Sequence, residues 1–146
     1  MKKTIACIKD SIRQKPINLI LILVVLALYF LNNGIFKHHT SGWLQYFMIC
    51  HFNDFICPLF FFGYCNLLLI TANKEIKKLH WILLMGLCSG LVWEYFAPVI
   101  KPSTVSDVMD LVFYLLGTFL YWCILKLTPD RRKENEQDPQ NEEQLV

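Results

Sequence analysis

Residues 108–127 read VMDLVFYLLGTFLYWCILKL, twenty positions with one acid near the start, Asp110, and one base near the end, Lys126. An α-helix needs about 20 predominantly apolar residues to cross ~30 Å of hydrocarbon, so this stretch is expected to span a membrane. Working back along the chain, Leu79 to Ile100 and Phe52 to Thr71 pass the same test, and Ile17 to Leu31 is a shorter candidate. The expected architecture is all-α, an integral membrane four-helix bundle. It occupies residues 17–127, with spans at about 17–31, 52–71, 79–100 and 108–127. A basic segment, 1–16, precedes it and a tail, 128–146, follows.

Composition agrees. Of 146 residues, 55% are apolar and 18% charged, with a mean hydropathy of +0.39, well outside an ordinary soluble domain. The last 19 residues hold six carboxylates, three basic residues and only two aliphatics, so the rest of the chain is more apolar than the average. That tail is expected to be disordered and solvated. A net charge of +2 arises from separated blocks of both signs, and no nucleic-acid partner is expected. The six cysteines, Cys7, Cys50, Cys57, Cys65, Cys88 and Cys123, form no CxxC pair. This excludes a zinc ribbon or a disulfide scaffold and leaves them as small apolar packing residues.

The placement of Lys and Arg orients the chain. Five precede the first run, one follows it, three lie between the second and third, one between the third and fourth, and four at the end. Twelve of the fourteen therefore share one side. By the positive-inside rule both termini are expected in the cytoplasm, with residues 32–51 and 101–107 outside. The first run lacks a small-x-small cleavage signature in Asn32-Asn33-Gly34-Ile35-Phe36 and is read as an uncleaved anchor. Trp43 to His51 reads as an interfacial lead-in to the second span. No internal repeat is evident, which removes the usual signature of an inverted-repeat transporter.

Polar residues inside the runs carry the functional information. At ~1.5 Å per residue, Asp54 lies about 26 Å above Thr71, Glu94 about 22 Å above Leu79, and Asp110 about 26 Å above Leu127. Three helices thus place a carboxylate in one layer at the outer edge, where His51, Lys101 and Asp107 are also expected. Intramembrane carboxylates normally face the bundle or a wet cavity. Helical spacing puts Gly86, Gly90 and Glu94 on one face, Asp107, Asp110, Tyr114, Gly117 and Tyr121 on another, and His51, Asp54 and Pro58 on a third. Asn53 and Asn66 need partners of their own. A small-residue stripe such as Gly86 and Gly90 lets backbones approach, either within the monomer or in a homo-oligomer. A plainer account also exists: Ser106 or Asp107 caps a helix, Asp110 favours the helix dipole, and Glu94 snorkels to the interface. His38 and His39 read as ordinary loop residues.

Glu94 on an apolar helix, a short outer loop, then Ser106-Asp107-x-x-Asp110-x-x-x-Tyr114-x-x-Gly117, resembles the signature of the VanZ-like family of small bacterial membrane proteins. His51-Phe52-Asn53-Asp54 is similar to a branch of that family with an asparagine-aspartate motif. The resemblance covers His51 to Gly117, roughly half the chain. Lys101 stands where family members often carry Arg, and Tyr114 where they often carry Asn, so planar bidentate guanidinium recognition is not implied. The resemblance implies an envelope role in the bacterial cytoplasmic membrane, and the family takes its name from a protein of teicoplanin resistance.

Candidate site residues are His51, Asn53, Asp54, Trp93, Glu94, Lys101, Asp107, Asp110 and Tyr114. Three function classes follow. In the first, the acidic layer binds a lipid headgroup, a cation, or an amphiphilic envelope ligand such as a glycopeptide. In the second, Asp54, Glu94 and Asp110 hold a divalent cation such as Mg²⁺ that polarises a phosphate of a lipid-linked substrate. No HExxH and no Ser or Cys nucleophile with a base at helical spacing accompanies it. In the third, the acids relay protons or cations with Asn66 as the next station. The lack of charged residues between the outer layer and Lys126 on the last two helices weighs against that.

Overall fold

A computed structural model describes residues 15–72, 74–100 and 107–128. Lys101, Ser106, Cys7, nearly all of the basic N-terminal segment and almost the whole tail lie outside these residues. Among the described residues all regular structure is helical. The chain forms α1 (Pro16–His39), α2 (Gly42–Cys50), α3 (Phe52–Thr71), α4 (Leu79–Ile100) and α5 (Val108–Leu127). Four of them, all but α2, are long and apolar enough to cross a membrane. The outward surface suits lipid: Leu23, Phe30 and Val92 are 58%, 69% and 61% exposed, while Asn18, Asn66 and Thr118 are fully buried.

α1 runs further than its apolar stretch. Pro16 opens it at a position where its missing N–H costs nothing. The pair Asn32-Asn33 was expected to mark the exit from the membrane, yet the helix continues through a π turn, Asn32–Phe36, to His39. Both side-chain nitrogens donate in ways that keep the coil going. Asn33 Nδ2 donates to the Tyr29 carbonyl at 2.9 Å, and the buried Asn32 donates to the carbonyl of Met48 at 2.9 Å and to Asn53 Oδ1 at 3.2 Å. The helix stops where Thr40 turns extended and returns both its N–H and its hydroxyl to the Phe36 carbonyl. Gly42, at φ 65°, supplies the left-handed step into α2.

α3 is central, packed on α1 and on α5, and α4 packs on α5. Glycines set these distances. A Cβ on Gly117 would fall far inside contact with the Phe55 carbonyl oxygen, so the α3 and α5 backbones nearly touch. A Cβ on Gly86 would meet Thr118 Oγ1 at 2.5 Å, and one on Gly90 would meet Leu111 Cδ1 at 2.8 Å. The Gly86 and Gly90 stripe is thus filled by α5 of the same chain, and a dimer through it would have to displace that helix. Between the helices Phe62, Ile82 and Tyr121 are fully buried, with Leu21, Val25, Ile56, Leu59 and Leu125 around them.

One end of the bundle is closed by a polar weld. Asn66 Oδ1 accepts the Ile76 N–H at 2.8 Å, and its Nδ2 donates to the Ile76 carbonyl at 3.1 Å and to the Tyr121 hydroxyl at 2.7 Å. Ile76 fixes which way the amide faces, so the Tyr121 hydroxyl must spend its own hydrogen on Asn18 Oδ1, 3.1 Å away. Beside it Glu75 takes Lys15 on one oxygen and Lys77, at 3.0 Å, on the other. α1, α3, α5 and the connection into α4 are thereby joined at one level.

The glycine contacts give a direct test. Gly117→Ala is expected to lose about 1–3 kcal/mol through overpacking, read as a lowered denaturation midpoint in detergent micelles. Gly34→Ala, where a Cβ meets nothing within 4 Å, should leave the midpoint unchanged. Equal stability of the two variants would remove the close approach of α3 and α5.

Candidate functional site

The other end of the bundle gathers the acids. His51 links α2 to α3 and is only 5% exposed. Its Nδ1 lies 2.6 Å from Asp110 Oδ1; facing a carboxylate, that nitrogen carries the proton and donates it. The ring stacks on Phe113, with centroids 4.8 Å apart, and takes Tyr46 edge-on at 5.3 Å. Two aromatic walls and one carboxylate therefore hold the imidazole, and a link between α3 and α5 forms that sequence spacing could place at one height but could not pair.

Each remaining acid has a different job. Asp107 caps α5, its Oδ1 accepting the Met109 N–H at 2.9 Å. Glu94 reaches across from α4, and its Oε2 accepts the backbone N–H of Asp107 at 3.2 Å. The carboxylate of α4 thus fastens that helix to the start of α5. Asp54 lies one turn into α3 within electrostatic range of Asp110, Glu94 and His51. It forms no ion pair among the described residues. Pro58 four residues on has no N–H, which takes away the helix donor of the Asp54 carbonyl. Asn53 turns the other way and meets Asn32 of α1. Lys101 lies outside the described residues.

The expectation that Asp54, Glu94 and Asp110 share a divalent ion does not carry over into the geometry. Among the described residues no group of three His, Cys, Asp or Glu side chains is arranged to hold a metal ion. The physical reason is visible in the bonds above: Asp110 is turned to His51 and Glu94 to the Asp107 backbone, so two of the three carboxylates face partners of their own.

Below the acids lies a cavity that the sequence did not announce. α3 and α4 flank α5 and leave between them a cleft of about 470 Å³, within the usual range for ligand sites. Cys57, Phe60 and Phe61 of α3 form one wall, Cys88, Ser89, Val92 and Trp93 of α4 the other, and Tyr114 of α5 the back. The lining is overwhelmingly apolar, and the Tyr114 hydroxyl is turned to the Cys57 thiol. α3 descends from the acidic end and α4 rises to it, so Asp54 stands one turn above Cys57 and Glu94 follows Trp93. The carboxylates therefore lie at the level above the cleft, and its lining is made by other residues. Of the sequence candidates, His51, Asp54, Glu94, Asp107 and Asp110 gather at that level, Trp93 and Tyr114 line the cleft, and Asn53 is turned away toward α1.

Three participants escaped the sequence reading. Asn32 looked like an exit signal, and Cys57 and Cys88 looked like filler. A signal existed for the cysteines, since Cys57 is three residues from Asp54 and Cys88 lies on the helix of Glu94, but nothing in their type marks a cavity. Comparison of the chain with protein-family models, with curated proteins and with solved structures finds no match.

The buried pair predicts coupling. In a double-mutant cycle with His51→Ala and Asp110→Ala, the interaction energy should fall in the range of about 0.5–3 kcal/mol expected of directly bonded side chains. Strictly additive losses in unfolding experiments would show that the two residues do not act together.

Proposed function

We propose that this chain is a VanZ-like envelope protein of the bacterial cytoplasmic membrane, with both termini in the cytoplasm. Its function is to bind an amphiphile at the outer face. The ligand's polar head sits among Asp54, Glu94 and the His51–Asp110 pair, and its apolar chain enters the cleft between α3 and α4. The observation that carries this reading is the succession of the two features along α3: an apolar cleft of ligand size has Cys57 in its wall, and one turn above it Asp54 lies within electrostatic range of Glu94, Asp110 and His51. Either feature alone is ordinary in a membrane bundle. Together they match a molecule with a head and a tail. Twelve of fourteen basic residues on one side support the orientation, and the motif running from His51 to Gly117 supports the family. An envelope lipid, a lipid-linked intermediate and a lipid-bearing glycopeptide of the teicoplanin type all have the required shape.

A second reading, hydrolysis at a phosphate of a lipid-linked substrate, draws on one observation. A carboxylate on Nδ1 of His51 leaves Nε2 as the nitrogen able to take a proton, the arrangement that orients a general base. Turnover of a lipid headgroup by the purified protein would favour this reading over binding alone.

The test uses groups already in the chain. In vesicles, a membrane-soluble maleimide should label Cys57 and Cys88, and the ligand should slow that labelling at least several-fold. Glu94→Gln and Asp110→Asn keep the shape and most hydrogen bonds while removing charge. Each should abolish the cellular phenotype and leave the amount of membrane-inserted protein unchanged. Loss of protein in step with loss of phenotype would instead mean that the acids only hold the helices together. A reporter fused after Val146 should be active on the cytoplasmic side, and activity outside would overturn the orientation.

A further inference from the structure

We infer that the end of the bundle opposite the His51–Asp110 pair binds the head of an anionic phospholipid, on a platform made by the linker 74–78 and the last turn of α5. This site is separate from the cleft and from whatever the cleft holds.

Charge at this end is one-sided. Among the described residues it holds five lysines, Lys15, Lys74, Lys77, Lys78 and Lys126, and one carboxylate, Glu75. Glu75 is engaged on both oxygens, by the buried Lys15 and by Lys77. Lys74, Lys78 and Lys126 are exposed and form no ion pair among the described residues.

The linker presents its lysines on a fixed frame. The Leu69 carbonyl accepts the Ala72 and Lys74 N–H groups at 2.9 Å each. Glu75 is tied to the start of α1 through Lys15, and Asn66 holds both backbone groups of Ile76. The Lys78 carbonyl then accepts the Trp81 and Ile82 N–H groups, both at 3.1 Å, as α4 begins. Backbone fastened in this way has little freedom left to lose when a ligand binds.

The packing of α4 on α5 adds the other half of the platform. A Cβ on Gly90 would touch Tyr114 and one on Gly86 would touch Thr118, so the two helices run antiparallel with these pairs level. One turn further, Ile82 comes level with Trp122, which packs against the core that contains Ile82. After one more turn Lys78 comes level with Lys126, whose Nζ lies 5.8 Å from the centroid of the Trp122 ring. Lysines of two neighbouring helices thus share one height.

That height selects a lipid as the partner. Lys78 directly precedes one helix long and apolar enough to span a membrane, and Lys126 lies at the end of another, so both stand where hydrocarbon gives way to headgroups. Trp81, 52% exposed, is a residue type favoured at that boundary. Toward the middle of the bundle Leu84 of α4 and Leu116 and Phe119 of α5 are exposed, which gives acyl chains an apolar surface. A soluble polyanion could meet the lysines but would gain nothing from that surface. A phosphatidylcholine head sets an ammonium against its own phosphate and brings no net charge. An anionic head brings net negative charge to the lysines while its chains lie along the helices.

The experiment compares two heads on the same brominated chains. Full-length protein with Trp43 and Trp93 changed to Phe keeps Trp81 and Trp122, both at this end, and is reconstituted in phosphatidylcholine vesicles. Brominated phosphatidylglycerol or brominated phosphatidylcholine then replaces increasing fractions of the lipid, and bromine quenches the indoles on contact. Half-quenching by the phosphatidylglycerol should need a mole fraction lower by about three-fold or more. Lys78→Gln with Lys126→Gln should bring the ratio near one, and Lys78→Arg with Lys126→Arg should keep the preference. A companion protein retaining Trp43 alone, at the opposite end, should show a ratio near one.

Equal quenching by the two lipids in the Trp81 and Trp122 protein overturns the site. A preference that survives loss of both lysines, or that is as strong at Trp43, overturns the platform named here. Inorganic phosphate should lower the preference no more than chloride of the same ionic strength. Loss on adding phosphate alone would assign the lysines to a soluble anion and overturn the lipid.

Discussion

The backbones of α3 and α5 meet where Gly117 faces the carbonyl of Phe55, and the rest of the bundle depends on that approach. No side chain larger than hydrogen fits there. Because the two helices are so close at mid-height, short polar side chains can bridge them at both ends. His51 reaches Asp110 at one end, and Asn66 reaches Tyr121 at the other. A separation larger by the width of a methyl group would lengthen both bonds together. Small-residue packing in lipid supplies what the hydrophobic effect supplies in water, since lipid gives apolar side chains no reason to leave the surface.

The distribution of polarity follows from the same solvent. In hydrocarbon an unpaired polar group costs several kcal/mol or more, so the bundle is polar within and apolar without. Asn18, Asn32, Asn66 and Thr118 are fully buried, while Leu, Val, Phe and Trp side chains cover the outside. The interior polar groups lie mainly in two levels, one near each end, joined by the tyrosine and threonine face of α5. The upper level contains Asp54, Glu94, Asp107, Asp110 and His51 and lies above the cleft. The lower level contains amides and a hydroxyl bonded to one another, with the ion pairs of Glu75 beside them.

Sequence reading recovered the helices and missed the vacancies between them. Apolar runs of about twenty residues translate directly into spanning helices because the thickness of hydrocarbon sets their length, and helical spacing correctly put Gly117, Tyr114 and Asp110 on one face of α5. The alignment in height of Asp54, Glu94 and Asp110 was readable for the same reason. Their partners were not. Whether a carboxylate bonds a histidine, a backbone N–H or nothing depends on how the helices rotate about their axes, and rotation is fixed by contacts between residues far apart in sequence. The persistence of α1 beyond Leu31 was hidden likewise. Asn32 and Asn33 are exit signals unless an acceptor such as the Met48 carbonyl is waiting, and that acceptor lies sixteen residues on. A cavity is harder still, being a property of what two helices fail to do.

The Asn66 weld has a mechanical side. By taking both backbone groups of Ile76, a side chain of α3 claims the linker that leads into α4, so that linker belongs to the α3 body and not to the helix it feeds. α1, α3 and α5 are bolted together at both ends. α4 leans mainly on α5, through two glycines and the reach of Glu94 to Asp107, and sends Ile82 into the common core. The cleft thus has one wall on the hydrogen-bonded frame and the other on α4. A change in the tilt of α4 would alter the width of the cleft and leave the hydrogen bonds that join α1, α3 and α5 in place.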